Sequence, residues 1–401
     1  MATSRRPSRM PGARVSHPVQ KISTWLVPLL ALLLIRATGS FQLAAPAAFG
    51  TALIAQLGLS HAEIGMLMGA FMLPGIFVTV AAGLLASRIG DRKVLLGGMA
   101  LMATGAAACA VATGLPGLLA GRVLSGIGGV AMLMLVLKMT ADRFAGPMLS
   151  TATSVVIVSW PTGFALSLAV FGPLAVNSDV ATLFLLSGAP ALVAIGLIGL
   201  VGHAKPAPMP IAGARSLVGW QMILAAALSW SALNAATAVM AGFLQTYLVE
   251  TGHDPAAAAN QASVSSWCFA AATPFGGLVA DRLIGRKAAV VAGILLTTAG
   301  FLAIPLTGGH VVALGALGVA IALIPGAVTA QVGAATPPAA RAVVFGWYSA
   351  GSYLGLTIAP WIAGRLHDLT DDARAPIWFG AAVTLAMLAP YLWFLRRISR
   401  E

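Results

Sequence analysis

Gly276-Gly-Leu-Val-Ala-Asp-Arg-Leu-Ile-Gly-Arg-Lys287 is a short basic turn set between two long apolar stretches. Upstream, Gly83-Leu-Leu-Ala-Ser-Arg-Ile-Gly-Asp-Arg-Lys93 repeats it, with Gly83, Arg88 and the closing Arg92-Lys93 each 194 residues before Gly277, Arg282 and Arg286-Lys287 of the later copy. A repeat at that interval divides the 401-residue chain into two similar halves of about 200 residues, which constrains the architecture before any local reading.

The solvent of each half follows from composition. Hydrophobic residues make up 59% of the chain and charged residues only 8%, against roughly 25% charged in a soluble domain. Cutting the sequence at charges and at Gly/Pro clusters leaves twelve apolar blocks, near 25–50, 62–86, 94–113, 116–137, 148–171, 180–201, 218–247, 258–280, 288–306, 310–332, 342–364 and 375–395. A hydrocarbon core of ~30 Å is crossed by ~20 helical residues, and a helix satisfies its own backbone in lipid. The expected fold is an all-α integral membrane protein with twelve transmembrane helices in two six-helix pseudo-repeats. Its divisions are a tail at 1–21, a first half at 22–202, a polar, Pro-rich linker at 203–217, a second half at 218–397 and a short tail at 398–401.

A net charge of +12 invites a nucleic-acid partner, but the placement of the charges argues otherwise. With the N-terminus inside the cell, 19 of the 23 Lys and Arg residues fall in cytoplasmic segments and two, Arg365 and Arg374, fall outside. Such a bias in short loops orients a membrane protein. A multi-pass inner (plasma) membrane protein with both termini cytoplasmic is expected, with lipid rather than nucleic acid around it. Cys109 and Cys268 lie in apolar blocks and fit packing better than a disulfide or metal role. The basic N-terminal stretch reads as a tail, since the first apolar block is too long for a signal h-region.

Two basic residues remain, Arg36 and Arg122, and both fall inside helices. Arg36 lies 11 residues past Trp25, about 16 Å into the membrane. Arg122 opens the fourth helix, about 9 Å from its outer end. All eleven acidic residues can be placed near helix ends or in loops. Buried arginines without a protein counter-ion are functional candidates, and guanidinium forms a fixed fork that suits a carboxylate. The expected substrate is therefore a small organic anion, bound by Arg36 and Arg122. The rival for Arg36 is capping of backbone carbonyls at a helix break, and for Arg122 a helix-packing or outer-gate role. Ser40 sits one turn from Arg36, leaving room beside it. Trp230 and Asn234 share a face of the seventh helix, and their rivals are core packing and an interhelical hydrogen bond. Gln42 and Gln331 are weaker candidates, while Trp347, Tyr348 and Tyr353 read as packing residues.

Twelve helices in two repeats, with basic turns after helices 2 and 8, resemble the major facilitator superfamily of secondary transporters. The second turn keeps Gly277, Asp281, Arg282, Gly285, Arg286 and Lys287 of the family signature, with one residue more before its second glycine. The first keeps Gly83, Arg88, Gly90, Arg92 and Lys93 but has Ser87 where the family usually has aspartate. Arg122-x-x-x-Gly126 is similar to a second family motif. More narrowly, Arg36 and the Lys138 to Phe144 exit from helix 4 are similar to the cyanate and nitroimidazole permease branch. The resemblance implies a monomeric carrier working by alternating access between the halves, with a cavity lined by helices 1, 4, 7 and 10. It assigns Gly83, Arg88, Arg92, Gly277, Asp281, Arg282 and Arg286 to gating, with topology alone as the other reading.

Other classes find no support in the residues. An ATP-driven pump needs a Gly-x-x-x-x-Gly-Lys-Ser/Thr loop, and none occurs. No cofactor, metal or paired-carboxylate motif suggests an enzyme. A proton-coupled exporter of drugs or other small molecules is the alternative within transport, although two arginines in a cavity would repel lipophilic cations. No histidine or carboxylate is expected at mid-membrane. Transport is then uniport, anion exchange, or co-transport with the proton carried on the substrate, Glu63 or Glu250.

Overall fold

The computed structural model describes residues 22–144, 149–201, 219–337 and 341–398. The expected tail at 1–21, the linker at 203–217 and residues 399–401 lie outside them. Sixteen helices are described: α1 (Ile22–Ala48), α2 (Gly50–Leu57), α3 (His61–Met72), α4 (Gly75–Ile89), α5 (Asp91–Ala110), α6 (Leu115–Arg143), α7 (Leu149–Leu174), α8 (Val180–Val201), α9 (Trp220–Glu250), α10 (Pro255–Arg282), α11 (Arg286–Leu306), α12 (Val311–Ala322), α13 (Pro325–Ala334), α14 (Arg341–Thr370), α15 (Arg374–Ala386) and α16 (Leu388–Ile398).

They assemble into the twelve expected spans. Span 2 is α3 with α4, span 10 is α12 with α13, span 12 is α15 with α16, and each of the others is a single helix. Three breaks have a proline cause. Pro74 and Pro325 stand at or beside the interruptions, and Pro390 near the start of α16 cannot donate to the carbonyl of Ala386. Pro161, by contrast, lies within an unbroken α7. The eight residues of α2 carry the first apolar block beyond α1, and Gly58, at φ 65°, stops it.

Ten of the spans are long and apolar enough to cross a membrane. The other two, α10 and α14, are of 28 and 30 residues but richer in polar groups. Their polarity is tolerated because protein covers it: Ser263, Ser265 and Ser266 of α10 are buried. Around the outside the pattern reverses, and Phe77, Val80, Val193, Leu200 and Phe275 are more than half exposed. Large apolar side chains turned outward over so much surface fit a lipid solvent.

At the two basic turns the chain does the same thing twice. Gly90 precedes α5 at φ 94° and ψ 144°, and Gly285 precedes α11 at φ 81° and ψ 147°. Only glycine enters that region cheaply. The additional residue in the second copy changes which charge enters the following helix. Asp91 opens α5, where the helix dipole favours an anion; Arg286 opens α11, where it does not. Asp281 compensates, accepting from Arg286 Nε at 2.6 Å.

The halves meet most closely at the end of the molecule away from these turns. There α3 lies on α14 across glycines: a Cβ at Gly65 would stand 2.1 Å from the Pro360 carbonyl oxygen, at Gly69 2.2 Å from that of Thr357, and at Gly364 2.2 Å from that of His61. No larger residue permits that backbone approach. On the neighbouring seam a Cβ at Gly172 of α7 would fall 2.0 Å from Ala259 Cβ of α10. Gln245 of α9 donates to the Ala48 carbonyl of α1 at 3.1 Å.

Candidate functional site

Arg36 projects from the middle of α1 toward α7 and the opposite half. Its Nη1 donates to Ser159 Oγ at 2.9 Å, and its Cζ lies 5.9 Å from the Trp160 ring centroid. Tyr353 of α14, in the other half, is within electrostatic reach. Tyr353 itself is seated against Gly75 at the α3/α4 break, near Thr79. The Arg36 Nε is buried and without a partner, and no carboxylate of the described residues lies within ion-pair distance of the guanidinium. Glu63 is occupied elsewhere, in a capping box with Ser60 at the start of α3. Glu250 faces two histidines at the molecule's end.

Arg122 has a different setting. It is 1% exposed, and its Nε, Nη1 and Nη2 donate to the carbonyls of Leu67 (2.8 Å), Gln42 (2.8 Å) and Leu43 (3.3 Å). Phe71 lies under the guanidinium at 4.7 Å. Carbonyls of α1 and α3 thus supply the partners that substrate was expected to supply, and Arg122 is a brace among three helices. For Arg122 the helix-packing rival describes the geometry of this structure. Ser40 departs from expectation too. It is fully buried, donates to the Ala37 and Ser159 carbonyls at 3.2 Å each, and faces Gly163 at the α1–α7 seam. Packing has consumed the room expected beside it.

In the second half, Trp230 stacks on Tyr348 with centroids 4.7 Å apart at 19°. Asn234 Nδ2 donates to the Trp230 carbonyl one turn back at 2.8 Å. Tyr348 in turn shares a 3.1 Å hydrogen bond with Thr329 of α13. The pair on α9 is therefore joined by an aromatic partner that composition alone assigned to packing. Gln331 exchanges hydrogen bonds with the Tyr391 hydroxyl at 3.0 and 3.1 Å, and Gln42 donates to the Met102 carbonyl. Both glutamines serve helix contacts. Trp347 is 62% exposed.

The basic turns hold two separate ion-pair sets. Arg88 and Arg92 are exposed, whereas Lys138 of α6 bridges Asp91 at 2.6 Å and Asp142 at 2.9 Å. In the second turn Asp281 and Arg286 pair, while Arg282 is exposed. Gly277 has open space around it, and the close approach belongs to Gly276, whose Cβ would stand 2.1 Å from the Ala322 carbonyl oxygen. Ser159, Trp160, Thr79 and the Asp91–Lys138–Asp142 bridge escaped the sequence reading of the site. Only Lys138, a lone lysine at a helix exit facing two aspartates, carried a signal that could have exposed its role.

Comparison with known proteins agrees with this architecture. The Major Facilitator Superfamily profile matches residues 30–252 and 223–401. The 3-(3-hydroxy-phenyl)propionate transporter of Escherichia coli (strain K12) is 27% identical over 349 residues, covering 81% of this chain and 82% of that protein. Among solved structures, a D-xylose-proton symporter superposes with a TM-score of 0.75 at 18% identity, over 92% of this chain and 96% of that one. A bacterial homolog of the human lysosomal transporter Spinster, inward-facing and occupied, gives 0.71 at 16% identity, over 96% and 98%. These structural likenesses speak to the fold, and the profile covers nearly the whole chain. The protein belongs to the major facilitator superfamily and is a multi-pass membrane transporter of small solutes, not an enzyme.

Proposed function

We propose that this protein carries an organic carboxylate across the membrane by alternating access, with Arg36 as the anchor for the charge. The observation that carries the reading is the buried Nε of Arg36, which has no partner, in a guanidinium that no carboxylate of the described residues meets. An uncompensated charge at that depth costs several kcal/mol, and a bidentate carboxylate would answer both deficits. Trp160 and Tyr353 beside it favour a substrate with a ring, in keeping with the aromatic propionate in the name of the relative described above. Trp230, Asn234 and Tyr348 would receive the substrate from the second half.

The basic turns would face the cytoplasm under the positive-inside rule, with both termini on that side, as in a bacterial inner membrane. Packing at the opposite end then fits a carrier closed to the outside. Asp281 with Arg286, and Asp91 with Lys138, would brace the cytoplasmic ends and release them as the halves rock. Arg88, Arg92 and Arg282 would add their charge to that face, and Gly83 and Gly277 flank the same turns. The halves divide at the linker 203–217, and a single chain holds a complete pathway.

Binding in detergent tests the anchor directly. Phenylpropionate and benzoate are compared with their neutral amides and with a lipophilic cation such as tetraphenylphosphonium, on wild type and Arg36→Ala. Removing one partner of a buried charge pair costs ~2–5 kcal/mol, so carboxylate affinity should fall at least ~30-fold in Arg36→Ala. Preference for the amides or the cation, or unchanged carboxylate affinity in the variant, refutes the proposal.

A further inference from the structure

The closed end of the molecule carries a group of side chains that the transport reading does not use. His61 opens α3 in the first half; Glu250 ends α9, and His367 and Asp368 lie near the end of α14, all in the second half. Both imidazoles turn Nε2 toward one carboxylate, His61 at 3.3 Å and His367 at 2.9 Å from Glu250. The two rings stack with centroids 3.7 Å apart. The three ligand-type atoms lie within 4.8 Å of one another.

From this geometry we infer a binding site for a divalent transition-metal ion, with zinc as the type case, held by His61 Nε2, His367 Nε2 and the Glu250 carboxylate across the two halves. Zinc takes imidazole at ~2.0–2.1 Å and carboxylate at ~2.0–2.2 Å in a tetrahedron. Its ligand atoms then stand about 3.3 Å apart, close to the 3.3 and 2.9 Å that already separate the two imidazoles from Glu250, and the two nitrogens need only draw together from within 4.8 Å. Two imidazoles and one carboxylate leave one position for water. Glu250, with its side chain 37% exposed, gives the ion a way in.

The surroundings fit a metal-binding histidine as well. Asp368 Oδ1 accepts from the His61 backbone N–H at 3.0 Å and lies 3.2 Å from His61 Nδ1, while Oδ2 accepts from Ala62 N–H at 2.9 Å. A carboxylate on Nδ1 fixes the tautomer that presents the Nε2 lone pair to a metal, and such partners tighten metal sites. Asp368 also caps α3 from the opposite half, so the orientation of His61 depends on the halves being closed. Gly364 brings α14 onto the His61 backbone at the same point. The ion would therefore bind the closed end alone and hold it shut, since a ligand favours the state in which its site is complete.

Calorimetric titration of the purified full-length protein with zinc chloride, and with magnesium chloride in parallel, tests this without any transport substrate. One zinc per chain with micromolar affinity is expected, with no magnesium binding and a rise in unfolding temperature on zinc addition. Glu250→Gln and His367→Gln should each weaken zinc at least tenfold and abolish the thermal rise. His253→Gln and His310→Gln, which alter other histidines on that face, should leave both unchanged. A monodisperse gel-filtration peak qualifies each variant, and His367→Gln decides the matter if Glu250→Gln fails to fold. Absence of zinc binding, or binding unchanged in the qualified variant, overturns the inference. Since carboxylate binding to Arg36 is measured separately, either result leaves the other standing.

Discussion

Replacing Arg122 with methionine separates a brace from a binding residue. The guanidinium is 1% exposed and makes three hydrogen bonds, to Leu67, Gln42 and Leu43. A hydrogen bond to a charged group contributes ~1.5–3 kcal/mol net, so three give an upper bound of roughly 4–9 kcal/mol. Two effects reduce it: helical carbonyls can keep partners within their own helices, and methionine spares the burial of a charge. A loss of about 3 kcal/mol remains, near the lower limit for breaking buried charge networks. For a cooperative unit the size of one half, this lowers the unfolding temperature by ~6–12 °C, at 2–4 °C per kcal/mol.

A thiol-reactive fluorogenic dye supplies the assay. Cys109 is 2% exposed and faces Gly121 of α6, so its labelling follows the loosening of the helices that Arg122 joins. Arg122→Met should shift the labelling curve down while remaining carboxylate-competent at low temperature, whereas Arg36→Ala should leave the curve near that of wild type and lose the ligand. If Arg122→Met unfolds within 2 °C of wild type but no longer binds carboxylate, the argument from its carbonyl partners is wrong.

Gly69→Val sets a side chain against the Thr357 carbonyl, where even a Cβ would stand at 2.2 Å. It should keep the α3–α14 end open and reduce uptake into proteoliposomes at least tenfold while expression persists. Lys138→Met leaves Asp91 and Asp142 facing each other without their cation, and should cost about 1–3 kcal/mol in thermal stability. Asp281→Asn removes an exposed pair, with side chains 41% and 52% accessible. Its effect on stability should stay below ~1 kcal/mol, so any larger loss appears in transport rate, measured at low and high salt.

Much of the fold was legible because the membrane imposes its pattern on the chain. Apolar runs of the right length, a repeated basic turn and charges biased to one face gave the twelve spans and their division into halves. Breaks at Pro325 and Pro390 escaped that reading, since an interrupted span has the same composition as a continuous one. In the site, sequence found two arginines where lipid should be and no carboxylate to meet them. It could not distinguish them. Whether a guanidinium has spare donors depends on carbonyls brought from elsewhere, and those meeting Arg122 lie on residues 55 to 80 positions away.

Sequence by itself determined the solvent, the two-fold repetition and the presence of buried positive charge, because these follow from residue type counted along the chain. Tertiary structure decided that Arg122 is committed to backbone and Arg36 is not, that Ser40 has no room beside it, and that His61, Glu250 and His367 converge. Those facts rest on helices packed within a few ångströms of one another, where a glycine in one helix sets which groups of its neighbours can touch. Such distances belong to pairs of distant segments, and no local pattern carries them.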